Sequence, residues 1–211
     1  MLVKKHRSIG KYLVSNLVYL ICIFYFSCSS TPSNISPWFL PIKDESIIVV
    51  MNNGKETVYI NAGDFDMRIQ QIPNERGMIS FVISIRNNMT DSIINSRYED
   101  FKLEYINKDN EIIYIPAFNS EEFFNKYVEA SGINKNYITI QQKNDLMKHY
   151  FMENDIRANG GESVGVLSFD YVNTINFKFN ITIKKENFML RNLRNEGQIS
   201  IQNIQINYKI K

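Results

Sequence analysis

The chain has 211 residues, of which 44% are hydrophobic, and this length supports a single folded domain with one core. The formal charge is only +2, so the composition lacks the strongly basic balance that is typical of nucleic-acid-binding proteins. Two cysteines and two histidines are too few for a framework of several disulfides or for a metal site with several such ligands.

The first 27 residues have the pattern of a secretory signal peptide. No acidic residue occurs among them, and the basic residues at the start are Lys4, Lys5, Arg7 and Lys11. An apolar run at residues 12–26 follows, interrupted only by Ser15 and Asn16, and Ser27 then supplies a small residue. The run is shorter than the roughly 20 residues that a membrane-spanning helix needs. The sequence therefore predicts an export signal over residues 1–27.

The apolar run ends in Ser-Cys-Ser-Ser at residues 27–30, which resembles the lipobox of bacterial lipoproteins. In that family the cysteine thiol is lipidated, the signal is cut before it, and the new amino terminus is acylated. Phe26 and Tyr25 are bulkier than the residues usual at these places. Stable anchoring takes about two signals, which a di- or triacylated Cys28 would supply. The alternatives are an uncleaved signal anchor, or cleavage nearby with Cys28 left free.

Cleavage before Cys28 would leave 184 residues with 20 basic and 22 acidic side chains, a formal charge of −2. Such a domain lacks a basic patch for nucleic acid and a polybasic cluster that would add a second membrane signal. Cys22 lies in the signal, so no thiol beyond Cys28 remains for catalysis or metal binding. We expect no cofactor, no nucleic-acid partner and a lipid-anchored location in the bacterial envelope, at the outer membrane or cell surface rather than the inner membrane.

Residues 28–42 form the predicted anchor and a flexible tether rich in Ser, Pro, Asn and Thr. About a dozen such residues have a root-mean-square reach of roughly 20 Å, which limits how far the domain moves from the membrane. Trp38 is the only tryptophan. Its side chain either closes the end of the domain or contacts the membrane or a partner.

The domain at residues 43–211 is predicted to contain about nine strands. An Ile/Val-rich segment at 46–51 and a second segment at 56–60 flank an Asn-Gly turn and predict a hairpin. Residues 78–86 alternate apolar and polar side chains, which indicates a half-buried strand. Near 203–204 the alternation shifts, and this predicts a bulge. The predicted strands are 46–51, 56–60, 65–70, 78–86, 100–106, 111–115, 163–170, 174–184 and 199–209.

A two-helix insertion is predicted at about residues 119–158. The first helix begins near Ser120, with acidic residues in its first turn and Gly132 just past its end. The second is predicted at about 139–155 and ends before two glycines. The possible partner or ligand surface consists of side chains at helical spacing, namely Phe123, Phe124, Tyr127, Leu146, Tyr150 and Phe151. These residues could instead belong to the core, cover an open sheet edge, or line an apolar pocket.

Two smaller constellations have both a functional and an ordinary interpretation. Asp64 and Asp66 lie two residues apart on a predicted strand, so they could bind calcium or simply form a solvated face. His149 lies four residues from Asp145 and from Glu153. On one helix this spacing gives either a metal or pH-sensitive cluster or, more commonly, a surface ion-pair ladder. We therefore predict no metal site and no catalytic residue.

Part of the domain also resembles the immunoglobulin-like domains common in small bacterial lipoproteins (the DUF4352 class). The shared features are a strand ending in an Asn turn at 79–88, a Phe-x-Leu strand at 101–103, and a Gly-x-x-x-Phe strand within 161–169. The resemblance covers about residues 48–184, although two glycines stand where proline is usual and two helices are inserted. It implies an extracytoplasmic adaptor or binding domain.

Several short strands with turn signals predict a mainly β fold, an immunoglobulin-like antiparallel β-sandwich with a two-helix insertion. Because no spacing typical of acid–base chemistry occurs, we predict a non-catalytic binding or structural module with a protein partner in the envelope. The alternatives are a carrier of an apolar ligand, held between the helical insertion and the sheet, or a hydrolase without a recognisable motif.

Overall fold

The computed structural model describes residues 38–45, 47–72, 77–151, 154–187 and 198–210. The predicted signal, Cys28 and most of the predicted tether lie outside the described residues. In these five ranges, no helix combines the length and the apolar character needed to cross a membrane.

In the described part of the chain, twelve strands form two antiparallel sheets that pack face to face. The strands are β1 (Phe39–Pro41), β2 (Ile48–Asn52), β3 (Lys55–Asn61), β4 (Phe65–Ile72), β5 (Met78–Asn87), β6 (Ser92–Ser96), β7 (Phe101–Ile106), β8 (Ile112–Pro116), β9 (Asn154–Ile156), β10 (Glu162–Asp170), β11 (Asn176–Asn187) and β12 (Gln198–Ile210). One sheet has five strands in the order β10–β5–β4–β3–β2. The other has seven strands. Its order begins β1–β12–β11, and the far side of β11 pairs with both β6, which continues to β9, and β7, which continues to β8.

The chain changes sheets four times: between β1 and β2, between β5 and β6, between β9 and β10, and between β10 and β11. This places β4–β5–β10 opposite β12–β11–β7–β8, which is the Greek-key arrangement of an immunoglobulin-like sandwich. The predicted fold class is therefore confirmed. The Asn-Gly hairpin is also confirmed, because Asn53 and Gly54 both adopt positive φ (50° and 76°) between β2 and β3.

Two predictions about the strands were wrong. Three short strands, β1, β6 and β9, were missed because each has only three to five residues and little alternation. The predicted bulge near 203–204 does not occur in the pairing, because one register runs unbroken from Asn176 opposite Lys209 to Asn187 opposite Gln198. The apolar pattern shifted for another reason, since Ile199 and Ile201 face outward and are exposed.

Aromatic rings fill the core between the two sheets. Phe81 of β5 stacks on Phe179 of β11, with ring centroids 4.9 Å apart and planes inclined by 18°. Phe39 meets Phe177 edge-on, with centroids 4.7 Å apart, and so attaches the short strand β1 to the core. Each such pair adds about 0.5–1.5 kcal/mol beyond the burial of its area. The sandwich is thus held by contacts between residues far apart in the chain.

The insertion contains two helices, α1 (Ser120–Ala130) and α2 (Ile140–Met147). Asn119 caps α1, and its side chain accepts from the backbone N–H of Glu122 at 2.9 Å. The prediction that the second helix reaches residue 155 was wrong, because α2 ends at Met147. A turn at 148–149 follows, and Tyr150 then forms an isolated bridge with Val166 of β10, the edge strand.

Candidate functional site

The six residues predicted as a partner or ligand surface pack inside the insertion and against the sandwich. Phe123 and Tyr150 stack with ring centroids 4.6 Å apart, and Phe151 meets Phe101 of β7 edge-on at 5.3 Å. The buried Phe124 ring lies near the Lys143 ammonium, 4.9 Å from its centroid, while Tyr127 and Leu146 are half-buried. The structure places these side chains in packing roles, and they do not form an exposed patch.

The insertion covers one edge of the five-stranded sheet. The backbone N–H of Phe151 donates to Val166 O at 2.8 Å, and Val166 N–H donates to His149 O at 2.9 Å. Phe118 N–H donates to Ser168 O at 2.9 Å. The hydroxyl of Tyr150 donates to the carbonyl of Phe118. Burial raises the pKa of the Tyr150 hydroxyl, so it stays a protonated donor at neutral pH. Of the alternatives stated above, the structure shows two together, because Phe123, Tyr150 and Phe151 belong to the core and the insertion covers a sheet edge.

A cavity of about 390 Å³ lies between α1 and the sheet. Its walls include Phe118, Glu122, Glu129, Lys126 and Asp170. The Lys126 ammonium lies 3.1 Å from Asp170 Oδ1, at an exposed position. Of the nine residues that line the cavity, four are charged and four are apolar, so its lining is mixed in polarity.

The constellations around Asp64 and His149 do not assemble in the described part of the chain. Asp64 Oδ2 lies 2.7 Å from the Lys185 ammonium, whereas Asp66 Oδ2 accepts from Asn88 Nδ2 at 3.0 Å. His149 lies beyond the end of α2, so it is not on one helical face with Asp145. Glu153, the third member of that predicted cluster, lies outside the described residues. Among the described residues, no group of three or more His, Cys, Asp or Glu side chains is placed to hold a metal ion.

A second cavity, a groove of about 360 Å³, lies on the outward face of the five-stranded sheet. The pairing register sets Ile48, Tyr59 and Arg68 side by side on β2, β3 and β4. The guanidinium carbon of Arg68 lies 5.7 Å from the centroid of the Tyr59 ring, within the range of a cation–π contact. Val50 extends the apolar wall beside Ile48, and both are exposed. The groove thus joins aliphatic side chains to an aromatic ring and a positive charge.

The far part of the same groove carries charges of both signs. Asp66, Arg86 and Glu162 form one row across β4, β5 and β10. The Ser84 hydroxyl donates to Glu162 Oε1 at 2.5 Å and orients that carboxylate. Because guanidinium groups only donate hydrogen bonds and carboxylates only accept them, this row can satisfy both the N–H and the C=O groups of a bound chain.

Strand β2 forms the wall of the groove and is the last strand at that edge of the sheet. Its sequence, Ile-Val-Val-Met-Asn, contains neither the charged residues nor the proline that commonly protect an edge strand. Within the described ranges, no strand pairs with the outer side of β2, which therefore presents backbone N–H and C=O groups next to apolar side chains. An edge of this kind is the structural basis of β-strand addition, in which an extended segment of another chain joins the sheet.

Sequence reasoning missed the groove, because Tyr59, Arg68 and Ile48 come together only through pairing of three strands. The uninterrupted apolar run at 47–51 was the one available signal, since a strand with one solvated face normally alternates. No family model, no curated protein and no solved structure matches the chain. The resemblance to lipoproteins and to their immunoglobulin-like domains stays a prediction from the sequence.

Proposed function

We propose that this chain is a lipid-anchored protein of the bacterial envelope, with an immunoglobulin-like domain that acts as a non-catalytic binding module. One observation carries the proposal: the sequence Ser-Cys-Ser-Ser at 27–30 directly follows a basic head and an apolar run too short to span a bilayer comfortably. A polar tether and a β-sandwich come next. This order suits a domain that is exported, held at a membrane and presented to other envelope components.

The binding site in this proposal is the groove beside β2. Its occupant is an extended segment of a partner protein, which pairs with the edge of β2 and places side chains against Tyr59 and Arg68. Three features support this choice: the unprotected edge, the exposed Ile48 and Val50, and the row of Asp66, Arg86 and Glu162. An aromatic ring and an arginine are also the residue types that most often dominate binding energy at protein interfaces.

The anchor is tested by exchanging the two cysteines separately for serine. Cys28→Ser should abolish incorporation of a labelled fatty acid and leave a chain whose mass lacks acyl groups. Cys22→Ser is the matched control, since it removes the only other thiol of the chain and should leave acylation unchanged. The measurement is intact mass spectrometry of protein purified from its native membrane, with fragmentation of the amino terminus. A mature wild-type chain that starts elsewhere, or that retains Met1 without acyl groups, would refute the anchor.

The binding site is tested by photo-crosslinking in living cells. A benzophenone amino acid in place of Tyr59 should give a discrete adduct with one protein partner. The matched control is the same substitution at Tyr114, an exposed tyrosine on β8 of the other sheet. Arg68→Glu should lower the yield at Tyr59 about tenfold, because loss of an interface arginine commonly costs more than about 1.4 kcal/mol. Equal adducts at both tyrosines, or a yield that Arg68→Glu does not change, would contradict a site in this groove.

A further inference from the structure

The two ends of the sandwich differ in the side chains at which the rows of core residues end. We call the end at which residue 38 enters β1 the tether end; the β10–β11 loop and the last residues of β12 lie there too. In β11 the inward-facing residues include Phe177 and Phe179. Ile175, two residues before Phe177, continues this row toward the tether end. In β12 the inward row of Ile206 and Tyr208 reaches Ile210. These rows continue beyond the point at which the opposite sheet covers them.

Large apolar residues end four such rows at this end, and we call them the tether-end rim. They are Met51, Tyr171, Ile175 and Ile210, which are 63%, 42%, 73% and 40% exposed. Ile210 N–H donates to Ile175 O at 2.7 Å, so two members of the rim are direct backbone neighbours. Tyr171 and Ile175 lie in the loop between β10 and β11, whereas Met51 and Ile210 lie on β2 and β12. The rim thus consists of exposed apolar side chains from one loop and two strands.

At the opposite end, the inward rows of β11 and β5 end in polar side chains. Lys185 follows Ile183 in the inward row of β11, and its ammonium contacts Asp64 Oδ2 at 2.7 Å and Gln202 Oε1 at 2.9 Å. Asn87 ends the inward row of β5, and its Nδ2 donates to two backbone carbonyls at 2.9 and 3.0 Å. An apolar end is thus not a general property of the fold, since here the core rows end in hydrogen-bonded groups.

The length of the tether decides which end can meet the membrane. Ten residues separate Cys28 from Trp38, and such a segment spans at most about 35 Å when fully extended. Strand β12 alone has 13 residues, and at about 3.3 Å per residue it is about 43 Å long. If the domain were inverted, with the tether end pointing away from the membrane, that end would therefore lie farther from the bilayer than the tether can extend. In the opposite orientation, the tether end is the part of the domain nearest to the lipid.

We infer that the tether-end rim rests in the interface of the bilayer in which Cys28 is anchored. This inference rests on the lipid anchor of the proposed function. The isoleucine and methionine side chains enter the acyl boundary, and Tyr171 lies at headgroup depth, where its ring and hydroxyl are both accommodated. Because the contact is apolar and the mature chain has a formal charge of −2, it does not need anionic lipid. Docking also fixes the groove beside β2 in one orientation to the membrane.

The test uses the mature chain from Cys28, coupled through that thiol to a maleimide phospholipid in phosphatidylcholine vesicles. An environment-sensitive fluorescent amino acid replaces either Ile175 or, as the matched control, Ile201, which is 62% exposed near the other end of β12. Phospholipids with a nitroxide at the headgroup–acyl boundary serve as quenchers. We expect strong quenching with a blue-shifted emission at position 175 and neither at position 201.

Paired double variants then test the side chains themselves, with the probe in place of Tyr171. Replacing Ile175 and Ile210 by glutamine should lower the docked-to-undocked ratio about tenfold or more, because each removes apolar surface from the interface. Replacing Ile199 and Ile201 by glutamine is the control and should leave the ratio unchanged. Circular dichroism checks that both variants remain folded.

Three results would overturn the inference: equal quenching at positions 175 and 201, stronger quenching at 201, or no quenching at either position. A blue shift at 175 without lipid quenching, growing with protein density on the vesicle, would assign the rim to a second copy of the chain instead. The maleimide lipid replaces any natural acyl group in this assay. Missing acylation in the native membrane would therefore refute the proposed anchor without altering the vesicle result, and the two failures remain distinct.

Discussion

Glu104 is the residue whose titration the structure ties most directly to stability. It lies on the outward face of β7, where Oε1 is 2.9 Å from the Lys178 ammonium and Oε2 accepts from Asn180 Nδ2 at 2.9 Å. The hydrogen bond from Lys178 lowers the pKa of the Glu104 carboxyl, partial burial opposes the shift, and Asn180 adds to the lowering. The carboxylate thus links β7 to β11 by way of two side chains.

The lowered pKa of Glu104 sets the sign of the pH dependence of the free energy of unfolding. Because the pKa of Glu104 is lower in the folded chain than in the unfolded one, the carboxylate stabilises the fold above its ordinary pKa. This stabilisation is lost as the pH falls through the lowered, folded-state value. Glu104→Gln should lower the free energy of unfolding at pH 7 by about 1 kcal/mol or less, since the Lys178 side chain is 45% exposed and partly screened.

The measurement is urea unfolding of wild type and Glu104→Gln between pH 7 and pH 3. The difference in free energy of unfolding between wild type and Glu104→Gln should shrink as the pH falls, because protonation of Glu104 removes the same charge from the wild type. Glu129→Gln, at an exposed position on α1, is the control and should change stability little at any pH. If this difference in free energy of unfolding stays constant with pH, the lower stability of Glu104→Gln reflects packing rather than ionisation.

At the level of elements, the insertion depends on one glycine of β10. A Cβ added at Gly165 would lie only 2.5 Å from the Cα of Phe151, which belongs to the segment that pairs with the β10 edge. No side chain can yield here, because the nearest atom is backbone. The hydrogen bonds between residues 149–151 and Val166 therefore require glycine at this position for steric reasons.

Gly165→Ala should lower the free energy of unfolding by about 1–3 kcal/mol, the usual cost of forcing extra volume into a packed site. It should also speed amide hydrogen exchange at Phe151 and Val166, because the two backbones must move apart. Val164→Ala is the neighbouring control, since Val164 faces outward and is exposed. Urea unfolding and hydrogen exchange check both effects. Wild-type exchange at Phe151 in the Gly165→Ala protein would disprove the steric argument.

At the scale of the whole molecule, the sandwich has three unlike surfaces. At one end, rows of core residues end in exposed apolar side chains, and at the other end they end in Lys185 and Asn87. The outward face of the five-stranded sheet carries the groove beside β2. A short tether at the apolar end would leave the groove on the side of the domain, parallel to the membrane normal. The anchor and the groove would then serve one purpose, which is to present a binding edge at a defined distance from the membrane.

The sequence alone determined those properties that depend on local pattern. Residues 1–30 predict export and lipidation by their order of charge, apolarity and cysteine, and none of these depends on a contact in the folded domain. Period-two alternation located the long strands, and the Asn53-Gly54 turn fixed a hairpin, because positive φ at both residues is a local requirement. The sandwich fold followed from the number and length of these strands.

Only the tertiary structure decided which strands are neighbours and what each apolar residue touches. Tyr150 and Phe151 have helical spacing, yet they leave the helix because the edge of β10 offers their backbone hydrogen bonds. Ile199 and Ile201 look like core residues and face outward, whereas Tyr59 and Arg68 come together only by pairing across two strands. Periodicity shows that a face is apolar, but the partner of that face is set by contacts between distant residues, which a local pattern does not contain.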